Sequence, residues 1–217
     1  MQYLLLARHG NTFAPGQKVV WVGARDDLPL VESGIAQANI LSEVLKNNAI
    51  KPNAVYAASL KRTVTYAQII CDQLNLSQTP VIDKRLNELD YGDWSGLSNN
   101  EIEERYGKDE LEGWSKYGRW AKSFVGIEAS VEEEVKDFCR QSIVDAPNNK
   151  IVLAVSSNGR LKYFLKLVPG AYNNHCKKAD WKVATGRVCL LSLDKNMWQI
   201  LSWNADPASL VSLVNAL

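Results

Sequence analysis

The stretch that decides the fold is 2–10, QYLLLARHG, in which an apolar run leads directly into Arg8, His9 and Gly10. A continuous apolar run without alternation predicts a strand that is buried on both faces of a sheet. Its abrupt polar end places Arg8 and His9 at the carboxyl end of that strand. In open α/β sheets, ligands bind outside the carboxyl ends of the strands, so this is where a site is expected.

Further along the chain, short apolar runs alternate with amphipathic segments. Strands are predicted at 53–58, 80–86, 150–155, 187–193 and 198–203. Helices are predicted at 32–45, 60–74, 99–106, 130–144 and 160–168. This order predicts a single domain over 1–217, a three-layer α/β/α sandwich with a mostly parallel central sheet. A small helical cap is expected as an insertion at about 97–130, where Trp114 and Trp120 are predicted to serve in packing.

Composition limits the classes of partner. Lys and Arg number 25 against 24 for Asp and Glu, and a net charge of +1 lacks the basic excess of a nucleic-acid-binding protein. No stretch approaches the roughly 20 apolar residues that cross a bilayer, and the N-terminal run is too short for a signal peptide. We therefore expect a cytoplasmic protein that binds neither nucleic acid nor membrane.

The four cysteines predict no metal site and no disulfide framework. They are far apart in the sequence, without the close pairs that zinc sites and small secreted domains show. We interpret them as core or incidental thiols: Cys71, Cys139, Cys176 and Cys189.

Three polar clusters follow predicted strands and are expected to meet at one edge of the sheet. They are RHGNT at 8–12, SLKR at 59–62 and SSNG at 156–159. Their convergence would bring His9 close to Arg8, Arg62 and Asn158. A neutral imidazole can attack phosphorus, and guanidinium groups bind phosphoryl oxygens in bidentate fashion. Gly10 would let the backbone approach a ligand closely.

Glu88 is the candidate for proton transfer. It lies in the irregular segment 87–96, NELDYGDWSG, and a nearby bound phosphate would favour its protonated form. The same group could later activate water. Asn11 and Gly159, which adjoin the polar clusters, complete the candidates for substrate contact.

The motifs resemble those of a known family. RHG-x-T at 8–12 is similar to the signature of the histidine phosphatase superfamily, which includes cofactor-dependent phosphoglycerate mutases. The segments 27–38, 59–63 and 86–96 resemble three further motifs of that family, in the same order. The resemblance implies a phosphohistidine on His9, a second phosphate-binding arginine at Arg62 and a proton donor at Glu88. We expect a small phosphorylated substrate, although the sequence leaves a sugar phosphate, a nucleotide-like phosphate and a phosphoprotein open. No metal or cofactor is expected, because the arginines neutralise the phosphate and no cluster of metal ligands is visible.

The chain departs from the family pattern at one catalytic position. The family usually has a second active-site histidine before a glycine, whereas this chain has Asn158 and Gly159, and its only other histidine is His175. Asn158 can donate a hydrogen bond without bringing charge, or it can cap the helix that follows. Arg160 could compensate for the missing cation or point into solvent. His175 is predicted to be incidental, in an exposed loop.

Three functions follow from these residues. Hydrolysis of a phosphomonoester is favoured, because mutases of the family tend to be longer and Pro15 alters the first loop. A mutase-type phosphotransferase is the nearest alternative. A phosphate-binding protein that has lost turnover is the other, because of Asn158. The alternative for His9 itself is a structural histidine at a strand end.

Overall fold

The computed structural model describes residues 1–146, 148 and 150–210. The strands are β1 (Gln2–Arg8), β2 (Ala54–Ala57), β3 (Val81–Ile82), β4 (Ile151–Ser156), β5 (Val188–Asp194) and β6 (Met197–Ala205). The helices are α1 (Glu32–Asn47), α2 (Lys61–Gln73), α3 (Asn99–Tyr106), α4 (Lys108–Tyr117), α5 (Glu128–Cys139), α6 (Asn158–Lys162) and α7 (Ala171–Lys178). The end of the predicted domain, 211–217, lies outside the described residues.

The strands form one sheet in the order β3-β2-β4-β1-β5-β6. The first four strands of that order are mutually parallel, while β5 is antiparallel to both β1 and β6. The prediction of an α/β fold with a mostly parallel sheet is therefore confirmed. β1 and β4 lie in the middle, which explains why both are almost wholly apolar.

Side chains of β1 alternate between two apolar clusters, one on each face of the sheet. Leu4 and Leu6 belong to the cluster that includes Phe138 of α5. Leu5 and Ala7 belong to the other, which is built largely from α1 and α2. Because successive side chains of a strand point to opposite faces, β1 joins both layers of helices to the sheet.

The sheet register brings the predicted polar clusters to one edge. Arg8, the last residue of β1, pairs with Ser156, the last residue of β4. Ala57, the last residue of β2, pairs with Val155. The three segments that follow these strands therefore begin side by side, as the sequence predicted.

Several predicted elements have different bounds or types. The strand expected at 80–86 is only β3, after which Lys84–Leu86 forms a 3-10 turn. The Asp83 side chain caps this turn by accepting a 2.9 Å hydrogen bond from the Arg85 N–H, which ends the strand early. The helix expected at 160–168 starts at Asn158, and a 3-10 turn replaces it from Tyr163 to Leu167.

The expected loop around His175 is instead helix α7. The side chain of His175 is partly buried, with Nδ1 2.7 Å from Oδ1 of Asp180. Local polarity suggested a loop there, but Tyr172 and Cys176, four residues apart on the helix, pack against the apolar core beside Trp181.

Helices α3 and α4 lie above the carboxyl edge of the sheet and are joined at Gly107. A capping box between Ser98 and Glu101 starts α3. Trp114 of α4 is fully buried and contacts Trp181 edge-on at 5.3 Å. Its aromatic packing fastens α4 to the rest of the chain. Within the described ranges, no helix is both long enough and apolar enough to traverse a bilayer.

Candidate active site

A cavity of about 1310 Å³ opens at the carboxyl edge of the sheet. Its walls come from the first loop, at 11–23, and from cap helices α3 and α4. The polar residues on the sheet side are hereafter the floor: Arg8, His9, Arg62, Glu88, Asn158 and Lys162. The floor thus contains all but two of the site residues predicted from the sequence, together with Lys162, which was not predicted.

His9 is 5% exposed, and its orientation is set by its neighbour. Nδ1 lies 2.7 Å from the carbonyl oxygen of Gly10. Because a carbonyl only accepts hydrogen bonds, Nδ1 must carry the proton, which leaves a lone pair on Nε2 of the neutral ring. Burial, and then the charges of Arg8 and Arg62, hold the pKa of His9 well below its ordinary value. The neutral, nucleophilic form is therefore the resting state.

The two arginines of the floor are held by backbone carbonyls. Arg8 donates from Nη1 to the oxygen of Val183 at 2.7 Å. Arg62 donates from Nη2 to Gly23 at 2.8 Å and from Nη1 to Asp26 at 2.9 Å. Carbonyl oxygens orient a guanidinium without neutralising it. Burial lowers the pKa of both arginines, and the negative charge of Glu88 partly offsets that effect.

Nε of Arg8 is buried and has no hydrogen-bond partner among the described residues. An unpaired guanidinium N–H beside a nucleophilic histidine is suited to an oxyanion. Together with Arg62, it makes the floor a site for a phosphoryl group.

Glu88 is fixed by backbone N–H groups at the start of α6. Oε1 accepts from Arg160 N–H at 3.0 Å and from its neighbour Leu89 at 2.9 Å. Oε2 accepts from Gly159 N–H at 3.1 Å. Tyr91 also hydrogen-bonds to Glu88, and burial, reinforced by the charge of Glu88, raises the pKa of the Tyr91 phenol well above its usual value. The carboxylate is therefore held firmly beside the two arginines.

Asn158 contacts the backbone of Val183 and does not cap α6. Its Oδ1 accepts from Val183 N–H at 2.9 Å, whereas Ser157 occupies the N-cap position. Since the oxygen of Val183 binds Arg8, one peptide segment orients both residues. Within the described part of the chain, Nδ2 of Asn158 has no partner. It remains available to a ligand in the cavity.

Asn11 lies on the cavity wall, where neighbouring side chains hold it. Its Oδ1 accepts a hydrogen bond from Thr185, and Nδ2 donates to Ser33 at 3.2 Å. Its backbone N–H donates to Gln37. Contact with substrate would use the second N–H of Nδ2 or displace one of these bonds.

The structure corrects the sequence-based interpretation of two glycines, Gly159 and Gly10. Gly159 lies behind Glu88, where a Cβ would come within 2.5 Å of Glu88 Oε1 and of the Tyr91 hydroxyl. The absence of a side chain at position 159 therefore leaves space for those two groups. Gly10 faces the backbone of Gly34 and does not face a ligand. A Cβ built at position 10 would lie 2.3 Å from the Gly34 oxygen. Both glycines serve packing that local sequence does not reveal.

Arg160 neither compensates for the missing cation nor points into solvent. It is 5% exposed, and its Nε donates to Asn87 O at 2.7 Å, while Nη1 pairs with Glu134 at 2.6 Å. It ties α5 to the segment before Glu88. Both alternatives that the sequence suggested for Arg160 are therefore wrong.

Sequence reasoning missed Lys162. This residue is 3% exposed, lines the cavity, and places its ammonium 3.7 Å from the ring centroid of Trp181 and 4.5 Å from that of Trp114. Burial lowers its pKa to about 7, partly offset by Glu88. The available signal was its position four residues after Asn158, on the same helix face.

No group of three or more His, Cys, Asp or Glu side chains suited to a metal ion is found among the described residues. The cysteines Cys71, Cys139, Cys176 and Cys189 are buried and free.

The family model that matches this chain is the histidine phosphatase superfamily (branch 1), over residues 4–206. A 2,3-bisphosphoglycerate-dependent phosphoglycerate mutase from Methylobacterium sp. (strain 4-46) is 37% identical over 114 residues, 52% of this chain and 54% of that protein. A 2,3-bisphosphoglycerate-dependent phosphoglycerate mutase from Nocardia farcinica is 29% identical over 159 residues, which cover 70% of this chain and 61% of that protein. The chain thus spans about half the length of the curated relatives it matches.

Solved structures share the fold at low identity. A mycobacterial glucosyl-3-phosphoglycerate phosphatase superimposes with a TM-score of 0.79 at 21% identity, covering 95% of this chain and 100% of that one. A putative alpha-ribazole-5'-P phosphatase from Escherichia coli superimposes with a TM-score of 0.72 at 22% identity, covering 94% of this chain and 98% of that one.

Proposed function

Because the chain belongs to the histidine phosphatase superfamily, we propose that it hydrolyses a phosphomonoester through a phosphohistidine on His9. The observation that carries the proposal is the 2.7 Å contact from Nδ1 of His9 to Gly10 O, beside Arg8 and Arg62. It leaves an unprotonated Nε2 next to two arginines that form no salt bridge among the described residues.

In the first step, Nε2 of His9 attacks phosphorus and the bond to the ester oxygen breaks. Arg8 and Arg62 neutralise the equatorial oxygens, and Nδ2 of Asn158 donates to one of them. Glu88 gives a proton to the departing oxygen, so the leaving group departs as an alcohol. The negative charge of the bound phosphate is what favours the protonated Glu88 at that moment.

In the second step, water attacks the phosphohistidine. Glu88, now a carboxylate, takes the proton from that water, and the N–P bond breaks to give inorganic phosphate and free His9. The three backbone N–H groups that bind Glu88 hold its carboxyl group in place for this role.

The substrate that we propose is a small phosphorylated molecule, held in the cavity above the floor. No metal or cofactor takes part in the proposed steps, because the arginines supply the positive charge. We expect turnover to survive a chelator.

A mutase is the second candidate, favoured by the names of the sequence relatives. A mutase returns the phosphoryl group of His9 to a second hydroxyl instead of water. It would depend on a bisphosphate primer, and it would release little inorganic phosphate. A hydrolase needs no primer, so phosphate release with and without a bisphosphate separates the two.

The test is hydrolysis of an aryl phosphate by the wild type, His9→Ala and His175→Ala, with a chelator present. His175 is the matched control, because it is the only other histidine of the chain. We expect activity in the wild type and in His175→Ala and none in His9→Ala. Equal activity in His9→Ala would refute the proposal, and binding of phosphate without any turnover would favour a phosphate-binding protein.

A further inference from the structure

Lys162 is a buried lysine whose ammonium contacts two tryptophan rings but has no anionic partner among the described residues. No hydrogen bond or ion pair joins it to any described residue, although its side chain is enclosed by Trp114 and Trp181. Desolvation makes a charge in such a place costly, and a methionine would fill the same space without that cost. Two exposed lysines on the cavity wall differ, since Lys18 pairs with Glu101 and Lys116 with Glu112.

Lys162 has charged neighbours of both signs. Among them, Glu88 attracts its ammonium most strongly, while Arg8 and Lys182 repel it. Lys182 lines the same cavity and, within the described residues, has no acidic partner. A phosphoryl group bound by Arg8 and Arg62 would leave the Lys162 side of the cavity cationic.

Lys162 lies on the side of the floor that faces helix α4. Asn158 and Lys162 share one face of α6. Asn158 and Arg8 both bind the backbone of Val183, which places them side by side. Lys162 lies one helical turn further along, against Trp114 of α4. A group that meets Lys162 therefore belongs to the part of the substrate that extends from the phosphoryl group toward α4.

We propose that Lys162 is a specificity-determining residue that binds a second anionic group of the substrate, a carboxylate or another phosphate. The inference rests on the proposed function for its phosphoryl site. It adds a substrate class: phosphomonoesters that carry a further negative charge on the leaving group.

The probes are phenyl phosphates substituted with carboxylate at the ortho, meta or para position, and their uncharged carboxamide counterparts. Bisphosphates of the corresponding benzenediols form a second arm that distinguishes phosphate from carboxylate. Calorimetric binding to His9→Ala and kcat/KM of the wild type are both measured. Binding tests the anion subsite even if hydrolysis fails, so failure of the proposed function is distinguishable.

We expect at least one charged isomer to bind about tenfold more tightly than its carboxamide, and Lys162→Met in the His9→Ala background to abolish that ratio. Lys166→Met is the matched control, because Lys166 loses the same charge but pairs with Glu132, outside the cavity lining. Lys162→Gln is a second variant. A thermal midpoint unchanged or raised in Lys162→Met would show that the fold is intact.

Three results would overturn the proposal. One is equal binding of every charged isomer and its carboxamide counterpart when Lys162 is present. Another is a charge preference that persists in both Lys162 variants. The third is equal weakening of charged and uncharged compounds, which would place Lys162 against the transferring phosphoryl group itself.

Discussion

Nδ1 of His9 lies 2.7 Å from the carbonyl oxygen of Gly10. This contact fixes the tautomer of the ring, and it exists because β1 ends at Arg8 and the chain turns sharply against Gly34 of α1. The nucleophile is thus oriented by its own backbone. In the proposed mechanism, the surrounding charges act on the substrate and on protonation of the ring.

The first prediction concerns the titration of His9. Burial, Arg8 and Arg62 lower its pKa, so the folded protein should keep the ring neutral well below pH 6.5, where a free histidine gains a proton. We expect ¹⁵N NMR of His175→Ala, in which His9 is the only histidine, to show no ring titration near pH 6.5. A midpoint near that value would contradict the assigned environment.

The same shift has a consequence for stability. With a lowered folded pKa, the unfolded state binds more protons below about pH 6.5, so the free energy of unfolding decreases as the pH falls through that range. His9→Gln removes this contribution. Chemical denaturation of the variant should show a weaker pH dependence between neutral and mildly acidic conditions, whereas an unchanged slope would exclude His9 as its source.

The second prediction concerns Glu88→Gln. An amide cannot transfer the proton, and it would turn an NH₂ group toward backbone N–H donors of α6. We expect kcat to fall about 10²–10⁴-fold for an alkyl phosphate and much less for a nitrophenyl phosphate, whose leaving group needs no proton. Asp93→Asn, an exposed neighbour, is the control. An equal loss with both leaving groups would argue against proton donation.

The third prediction concerns Asn158→Asp. The carboxylate keeps an oxygen for Val183 N–H but replaces the amide Nδ2 with a negative charge. Phosphate or vanadate affinity should fall about 100-fold or more, since a charged donor–acceptor contact is replaced by repulsion. The exposed Asn173→Asp carries the same charge change elsewhere and should have no effect. Unaltered affinity in Asn158→Asp would remove Asn158 from the phosphoryl site.

The fourth prediction concerns Gly10→Ala. A Cβ at position 10 would lie 2.3 Å from Gly34 O, so either α1 or the turn after His9 must move. We expect a loss of about 2–3 kcal/mol in the free energy of unfolding, as for other overpacked sites. Gly16→Ala, with open space but a φ of +83°, should cost about 1 kcal/mol. Similar losses for both would show that α1 or the turn after His9 relaxes at little cost, so that crowding does not limit the substitution at Gly10.

Much of the fold was predictable because its signals are local. The apolar runs of β1 and β4 identified the central strands, and the polar residues after them identified the edge that carries Arg8, His9 and Asn158. The antiparallel pairing of β5 with β1 was not predictable, because it depends on which strands meet in space.

The site residues that were misjudged depend on partners that are distant in the sequence. Arg160 is buried against Glu134 and Asn87, and Gly10 against Gly34. Lys162 was not singled out from the sequence, because only its enclosure by Trp114 and Trp181 distinguishes it from other helix lysines. No local pattern specifies such contacts.

The most direct test of the central claim is detection of the covalent intermediate. The protein is mixed with an aryl phosphate, quenched in alkali, which preserves the acid-labile N–P bond, and mapped by peptide mass spectrometry. We expect one phosphoryl group on the peptide containing His9, in the wild type and in His175→Ala. Steady turnover with no phosphoryl group on His9, or with the group on another residue, would contradict it.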